Sequence, residues 1–166
     1  MQRAMRISSP AFKNGERIPI EYTCDGDDEN PELRIDAVPA AAKSLVLLVD
    51  DPDSPSGNWL HWSVWNISPD TRVIKSGSVP SGAREGETDF SEVGYGGPCP
   101  SYGEHVYRFA IYALDKELDV PHEAPRHILE RAFEGHILSS AFLTGRYQRI
   151  KKEARVSKTS KTGVKA

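Results

Sequence analysis

Two histidines, a tyrosine and a group of aspartates are the residues of this chain best suited to hold a small charged group. His61 lies in the stretch Asp50 to Asn66 (DDPDSPSGNWLHWSVWN), between Leu60 and Trp62. His105 and Tyr107 lie in a second stretch, Tyr95 to Phe109 (YGGPCPSYGEHVYRF). Each stretch is a turn crowded with Pro, Gly, Asp or Ser that runs into β-forming residues, and rigid loops carried on strands are where binding groups tend to sit. The two are expected to meet and form one small polar pocket. Phosphate or a carboxylate needs converging N–H and O–H donors, which two imidazoles, a phenol and the amides of a glycine-rich turn can supply. Asp51 repels an anion unless it accepts a hydrogen bond from an imidazole N–H, setting that ring's tautomer and favouring its cation. Binding at such a site should strengthen below about pH 6.5, where histidine is protonated.

The elements that must carry these groups read mostly as strands. Ser44 to Val49 (SLVLLV) is a continuous apolar run, the pattern of a strand buried on both faces, and it delivers the chain into the Asp50 loop. His61 to Ile67 and Val106 to Leu114 are rich in β-formers. Arg17 to Tyr22 (RIPIEY) and Glu32 to Val38 (ELRIDAV) alternate apolar and polar residues, as half-buried strands do. Between them, TCDGDDENP lacks the ligand spacing of an EF-hand loop and reads as a solvated turn. Ser68 to Gly94, dominated by Gly, Ser, Pro, Glu and Asp, reads as a long surface excursion. One helix is expected after Pro125, with Ile128, Leu129, Ala132 and Phe133 at helical spacing and Gly135 to end it. Ile137 to Tyr147 then returns to strand character.

Bulk properties agree with one domain over 1–150. A chain of 166 residues, 38% hydrophobic and 27% charged, can bury a core without a staple. No apolar run approaches the roughly 20 residues of a membrane span. The start, MQRAMRISSP, lacks the apolar segment of a signal peptide, so a cytoplasmic location is expected. Net charge is −3, but from Arg146 onward eight Lys or Arg face the single acid Glu153, which leaves the remainder at −10. That balance argues against a nucleic-acid surface on the folded part, and residues 151–166 read as a basic, disordered tail. Cys24 and Cys99 make no CxxC pair; two free thiols are the default in the cytoplasm, with one bridge between them as the alternative.

Several motifs together carry a resemblance. DPDSP (51–55) followed by LHW (60–62), then GGPCP (96–100) and GEHVY (103–107), with YTCDG (22–26) and GYGGPCP (94–100), resemble the phosphatidylethanolamine-binding protein family in its bacterial and archaeal branch. The likeness runs from about Arg6 to Arg149. It implies a large central antiparallel sheet packed with a smaller sheet, one or two late helices, and an anion pocket at one end. The family's pocket residues match Asp51, Asp53, His61, His105 and Tyr107, with Gly97 and Pro98 as a wall; Pro55 and Trp62 complete the expected set. Where the family usually has arginine between the second histidine and the tyrosine, this chain has Val106, which implies a looser or weaker pocket if that arginine supports the loop through a salt bridge.

Three functions compete on these residues. The first is a non-catalytic binder of a small anion, such as phosphate, a carboxylate or a phospholipid head group, with the resemblance adding kinase or protease inhibition and a homodimer. No Walker-type loop, Ser-His-Asp elbow or zinc motif is present, which favours that reading, and neither metal nor cofactor is expected. The second is a metal-dependent hydrolase using His61, His105, Asp51 and Asp53, although the usual close histidine spacing is missing. The third is an interaction module working through Ser68 to Gly94. His61 reads equally as a core histidine bonded to backbone, and Asp51 and Asp53 as turn caps. Trp59, Trp62 and Trp65 read as core and pocket wall, and His122, His127 and His136 as structural.

Overall fold

Strand β3 (Ser44–Asp51) is the centre of the molecule, and all eight of its residues are buried. A computed structural model describes residues 3–149. Within it, β3 lies in the middle of a five-stranded antiparallel sheet in the order β6-β4-β3-β7-β8. The others are β4 (Trp59–Ile67), β6 (Arg84–Glu85), β7 (Glu104–Leu114) and β8 (Ile137–Gln148). A second antiparallel sheet, β1-β2-β5, is formed by β1 (Arg6–Ser8), β2 (Leu33–Asp36) and β5 (Val73–Ile74).

Successive side chains of a strand point to opposite faces, so β3 feeds two cores. Leu45, Leu47 and Val49 pack with Ile7, Leu33 and Ile35 of the small sheet. Val46 and Leu48 pack on the other side with Leu118, Leu129 and Phe133. The last two belong to helix α1 (Arg126–Phe133), whose only buried residues they are. The result is small sheet, large sheet and helix in three layers. Gly135 ends the helix at φ 82°, a left-handed conformation that glycine adopts at no steric cost.

The alternation continues to the end of β3 and separates two adjacent carboxylates. Asp50 faces the helix side. Its Oδ2 accepts from the guanidiniums of Arg126 at 2.6 Å and Arg108 at 2.9 Å, and from Asn58 at 3.0 Å. Burial pushes the Asp50 carboxyl up, but the two arginines outweigh that and hold it below its ordinary value.

Four local expectations need correction. Arg17 to Tyr22 does not form a strand: Arg17 makes a single bridge to Arg146, and Ile20–Tyr22 is a 3-10 turn. Pro19, which has no N–H to give a ladder, precedes that turn, and its carbonyl accepts from Tyr22 N–H. The Thr23 to Pro31 loop is not merely solvated. Asp25 takes hydrogen bonds from Tyr147 and Arg149, and Asn30 is buried and bonded to Lys75 O and Ser78 N–H. Ser68 to Gly94 is not all excursion, because β5 buries Ile74 in the core and β6 extends the large sheet. Cys24 and Cys99 are joined in a disulfide, the alternative to the free thiols expected by default. Residues 151–166 lie outside the described residues.

Two stability experiments follow. Asp50→Asn leaves two guanidiniums facing a lost charge and should cost about 3 kcal/mol in urea denaturation. Arg108→Gln should cost less, since the Arg108 side chain is 38% exposed whereas Arg126 is 20% exposed. The disulfide closes a loop with a sequence separation of 75, so Cys24→Ser with Cys99→Ser should lower stability by about 2–4 kcal/mol through the unfolded chain. Equal denaturation midpoints with and without reductant would contradict that.

Candidate functional site

Asp51, one residue beyond Asp50, points to the opposite face of β3. There its Oδ2 lies 2.6 Å from Nδ1 of His105, and Oδ1 accepts from Asp53 N–H at 2.9 Å. The carboxylate thus orients an imidazole and caps the turn that follows. Both side chains are nearly inaccessible, at 13% for His105 and 5% for Asp51. Because Asp51 occupies Nδ1, His105 is left with Nε2 for any other partner.

His61 reaches the same place through a bulge. Val49 pairs with Trp62 and Asp50 pairs with Leu60, so His61 is an extra residue in β4 with no partner opposite. A bulge re-aims side chains that strict alternation would place elsewhere. The His61 Nδ1–H donates to the Gly96 carbonyl at 2.7 Å, which assigns the proton to Nδ1 and leaves Nε2 as a lone pair in the neutral ring. Burial pulls the His61 pKa below its ordinary value, against smaller opposing effects of the Gly96 carbonyl and Asp51.

Tyr107 lies between the two imidazoles. Its ring stands edge-on to His61 at 5.3 Å and stacks with His105 at 6.2 Å between centroids. Burial, with the Asp51 charge adding to it, raises the phenol pKa well above its usual range, so the hydroxyl stays protonated and able to donate. Among the described residues three buried polar side-chain atoms lack a hydrogen-bond partner, and two of them, the Tyr107 hydroxyl and Trp59 Nε1, belong to residues around this place. The hydroxyl sits against the Cys99 backbone without hydrogen-bond geometry. An unmet buried polar group costs about 1–3 kcal/mol, a penalty that a ligand accepting from it would remove.

These groups line a cleft of about 210 Å³. From the expected set it holds Asp51, Pro55, His61, His105 and Tyr107. The other four lie outside it. Asp53 accepts from Val106 N–H at 2.9 Å and pins the loop to the start of β7. Trp62 is fully buried in the core between the sheets, its Nε1 donating to Glu85 at 2.7 Å. Gly97 and Pro98 are buried behind the cleft: Gly97 N–H donates to Asp28, and Pro98 O accepts from Cys24 N–H. Gly97 must be glycine for want of space, since a Cβ there would come 2.4 Å from Tyr22 O. The amides expected to meet an anion are therefore spent within the protein. Val106 is 42% exposed and its side chain does not line the cleft.

The wall is supplied instead by Cys99, Pro100 and Ser101, with Ser54, Ser56 and Trp59 opposite and Phe90 at one side. All but Phe90 are neighbours of the residues singled out by motif, so their nearness in sequence was the signal. Phe90 had none. It comes from the Ser68 to Gly94 segment and stands edge-on to both His61 and Trp59, because Asp89 beside it accepts from Leu60 N–H at 2.7 Å. His122 and His136 pair with Glu123 and Asp115, and neither they nor His127 line the cleft. Among the described residues no group of three or more His, Cys, Asp or Glu side chains is placed to hold a metal ion, so the metal-hydrolase alternative gains no support.

Comparison with known proteins agrees with the geometry. The profile described as phosphatidylethanolamine-binding protein matches residues 8–148. A UPF0098 protein of Methanothermobacter thermautotrophicus is 45% identical over 150 residues, covering 87% of this chain and 99% of the relative. The crystal structure of a homologue from Chlamydia trachomatis, described as similar to the same family, superposes with a TM-score of 0.85 at 39% identity, over 89% of this chain and 99% of that one. E. coli YbcL, described as a member of the mammalian family, gives 0.83 at 27% identity over 89% and 100%. With its fold, its motifs and its relatives in agreement, the chain belongs to the phosphatidylethanolamine-binding protein family.

Proposed function

We propose that this protein is a non-catalytic binder of a small anionic group, held in the cleft between His61, His105 and Tyr107. The observation that carries the reading is the buried Tyr107 hydroxyl, a neutral donor without a hydrogen-bond partner among the described residues, set between two imidazoles whose Nδ1 atoms are already engaged. A phosphate, carboxylate or phospholipid head-group phosphate offers acceptors to the phenol and to imidazole Nε2–H when protonated. The cleft, at about 210 Å³, suits a group of that size, below the roughly 300 Å³ at which sites for larger ligands begin.

The test is calorimetric titration of the full chain with phosphate, acetate and O-phosphoethanolamine. Tyr107→Phe removes one hydrogen bond to a charged group and should weaken each by about tenfold or more while leaving the fold intact. Unchanged affinity in that variant would sink the reading.

The pH dependence is set by His61. Its folded pKa is depressed, so between about pH 6.5 and that lower value the unfolded chain binds a proton that the folded protein refuses. Stability should therefore fall as pH falls through this window, and His61→Gln should lose less. A bound anion favours the His61 cation, and sulfate keeps its charge across the range. Sulfate affinity should rise as pH drops from about 7 to about 5, and sulfate should offset the acid loss of stability in the wild type more than in His61→Gln. The Asp50 contribution is lost only below about pH 4, outside this window.

A further inference from the structure

The cleft wall Cys99 to Ser101 is held differently from the chain before it, by one covalent link and by the burial of Pro100 rather than by hydrogen bonds. Upstream of it the chain is well tied: Gly96 exchanges hydrogen bonds with His61, Gly97 N–H is held by Asp28, and the Tyr95 hydroxyl donates to Tyr22 O. At Pro98 the carbonyl accepts from Cys24 N–H at 3.1 Å. From Cys99 to Gly103, among the described residues, no hydrogen bond continues the series, and Tyr102 is 82% exposed. What fastens this wall is the covalent link from Cys99 to Cys24, together with the burial of Pro100. Cys99 also lines the cleft itself, beside His61, His105 and Tyr107.

We propose that the Cys24–Cys99 disulfide is a redox-responsive site that sets the affinity of the cleft: oxidised, the wall is fixed and the anion is held; reduced, the wall is released and the anion is lost. The proposal rests on the cleft's being an anion site. The reductant is a dithiol. One of its thiolates attacks a cystine sulfur to give a mixed disulfide and expels the other cysteine as a thiolate, which takes a proton. The second dithiol sulfur then resolves the mixed disulfide. The dithiol ends as a disulfide, having given two electrons and two protons, and Cys24 and Cys99 end as thiols. Two consequences lower anion affinity. The backbone against the Tyr107 hydroxyl is no longer tethered, and a Cys99 thiolate, where formed, is itself an anion facing the same donors. Upstream tethers at Gly96 and Gly97 remain, so release is confined to the wall and both sheets persist.

Coupling of this kind is reciprocal: if reduction weakens sulfate binding by some factor, sulfate opposes reduction by the same factor. The experiment is sulfate titration of the full chain, oxidised and then dithiol-reduced, with far-UV circular dichroism recorded on both. A redox titration in the absence and presence of saturating sulfate completes it. The expected result is binding by the oxidised protein, about tenfold weaker binding by the reduced one with unchanged dichroism, and a midpoint about 30 mV more negative in sulfate for that tenfold. The variant carrying Cys24→Ser and Cys99→Ser should match the reduced protein and ignore the dithiol. Equal affinity in the two redox states, or dichroism lost on reduction, overturns the proposal while leaving the anion site standing. No binding by the oxidised protein overturns both.

Discussion

Everything at the cleft depends on how one strand end disposes of two neighbouring negative charges. Asp50 and Asp51 close β3 where it leaves the core, and the pleat sends them to opposite faces of the sheet. On one face Asp50 is neutralised by Arg108 from β7 and Arg126 from α1, and Asn58 ties the far side of the loop to the same carboxylate. On the other face Asp51 is left with one imidazole and the Asp53 amide. A buried carboxylate is tolerable only when paired, and the strongly paired one anchors the loop from which the other works.

The functional groups are thus held by constraints of different strength. Asp51 and His105 sit on adjacent strands of the central sheet, and Tyr107 is two residues along the same face of β7. Those positions are fixed by the ladders of the central sheet. His61 depends on a single-residue bulge together with the Gly96 carbonyl that accepts from its Nδ1–H. The wall at Cys99 has no ladder, and one disulfide with the buried Pro100 does there what strand pairing does elsewhere. A site assembled in this order can change at its rim without disturbing its base.

Much of this was legible in residue order. The apolar run Ser44 to Val49, the helix between Pro125 and Gly135 and the long strands around them follow from periodicity, which needs only local information. The motifs around Asp51, His61, His105 and Tyr107 pointed to side chains that line one cleft, three of them carried there directly by the alternation of their strands. The motif logic failed where a residue's neighbours in space are not its neighbours in sequence. Trp62 adjoins His61 yet lies in the core, and Gly97 looks like an anion-binding turn yet gives its N–H to Asp28.

By itself, then, the sequence determined the long strands, the late helix and the family. Only the tertiary structure decided that Cys24 meets Cys99, that Phe90 arrives from a segment with no motif, and that the extra residue in β4 turns His61 toward Tyr107. The physical reason is range. Propensity and pattern act over a few residues, whereas strand register, loop docking and disulfide pairing are settled by which distant surfaces bury each other best.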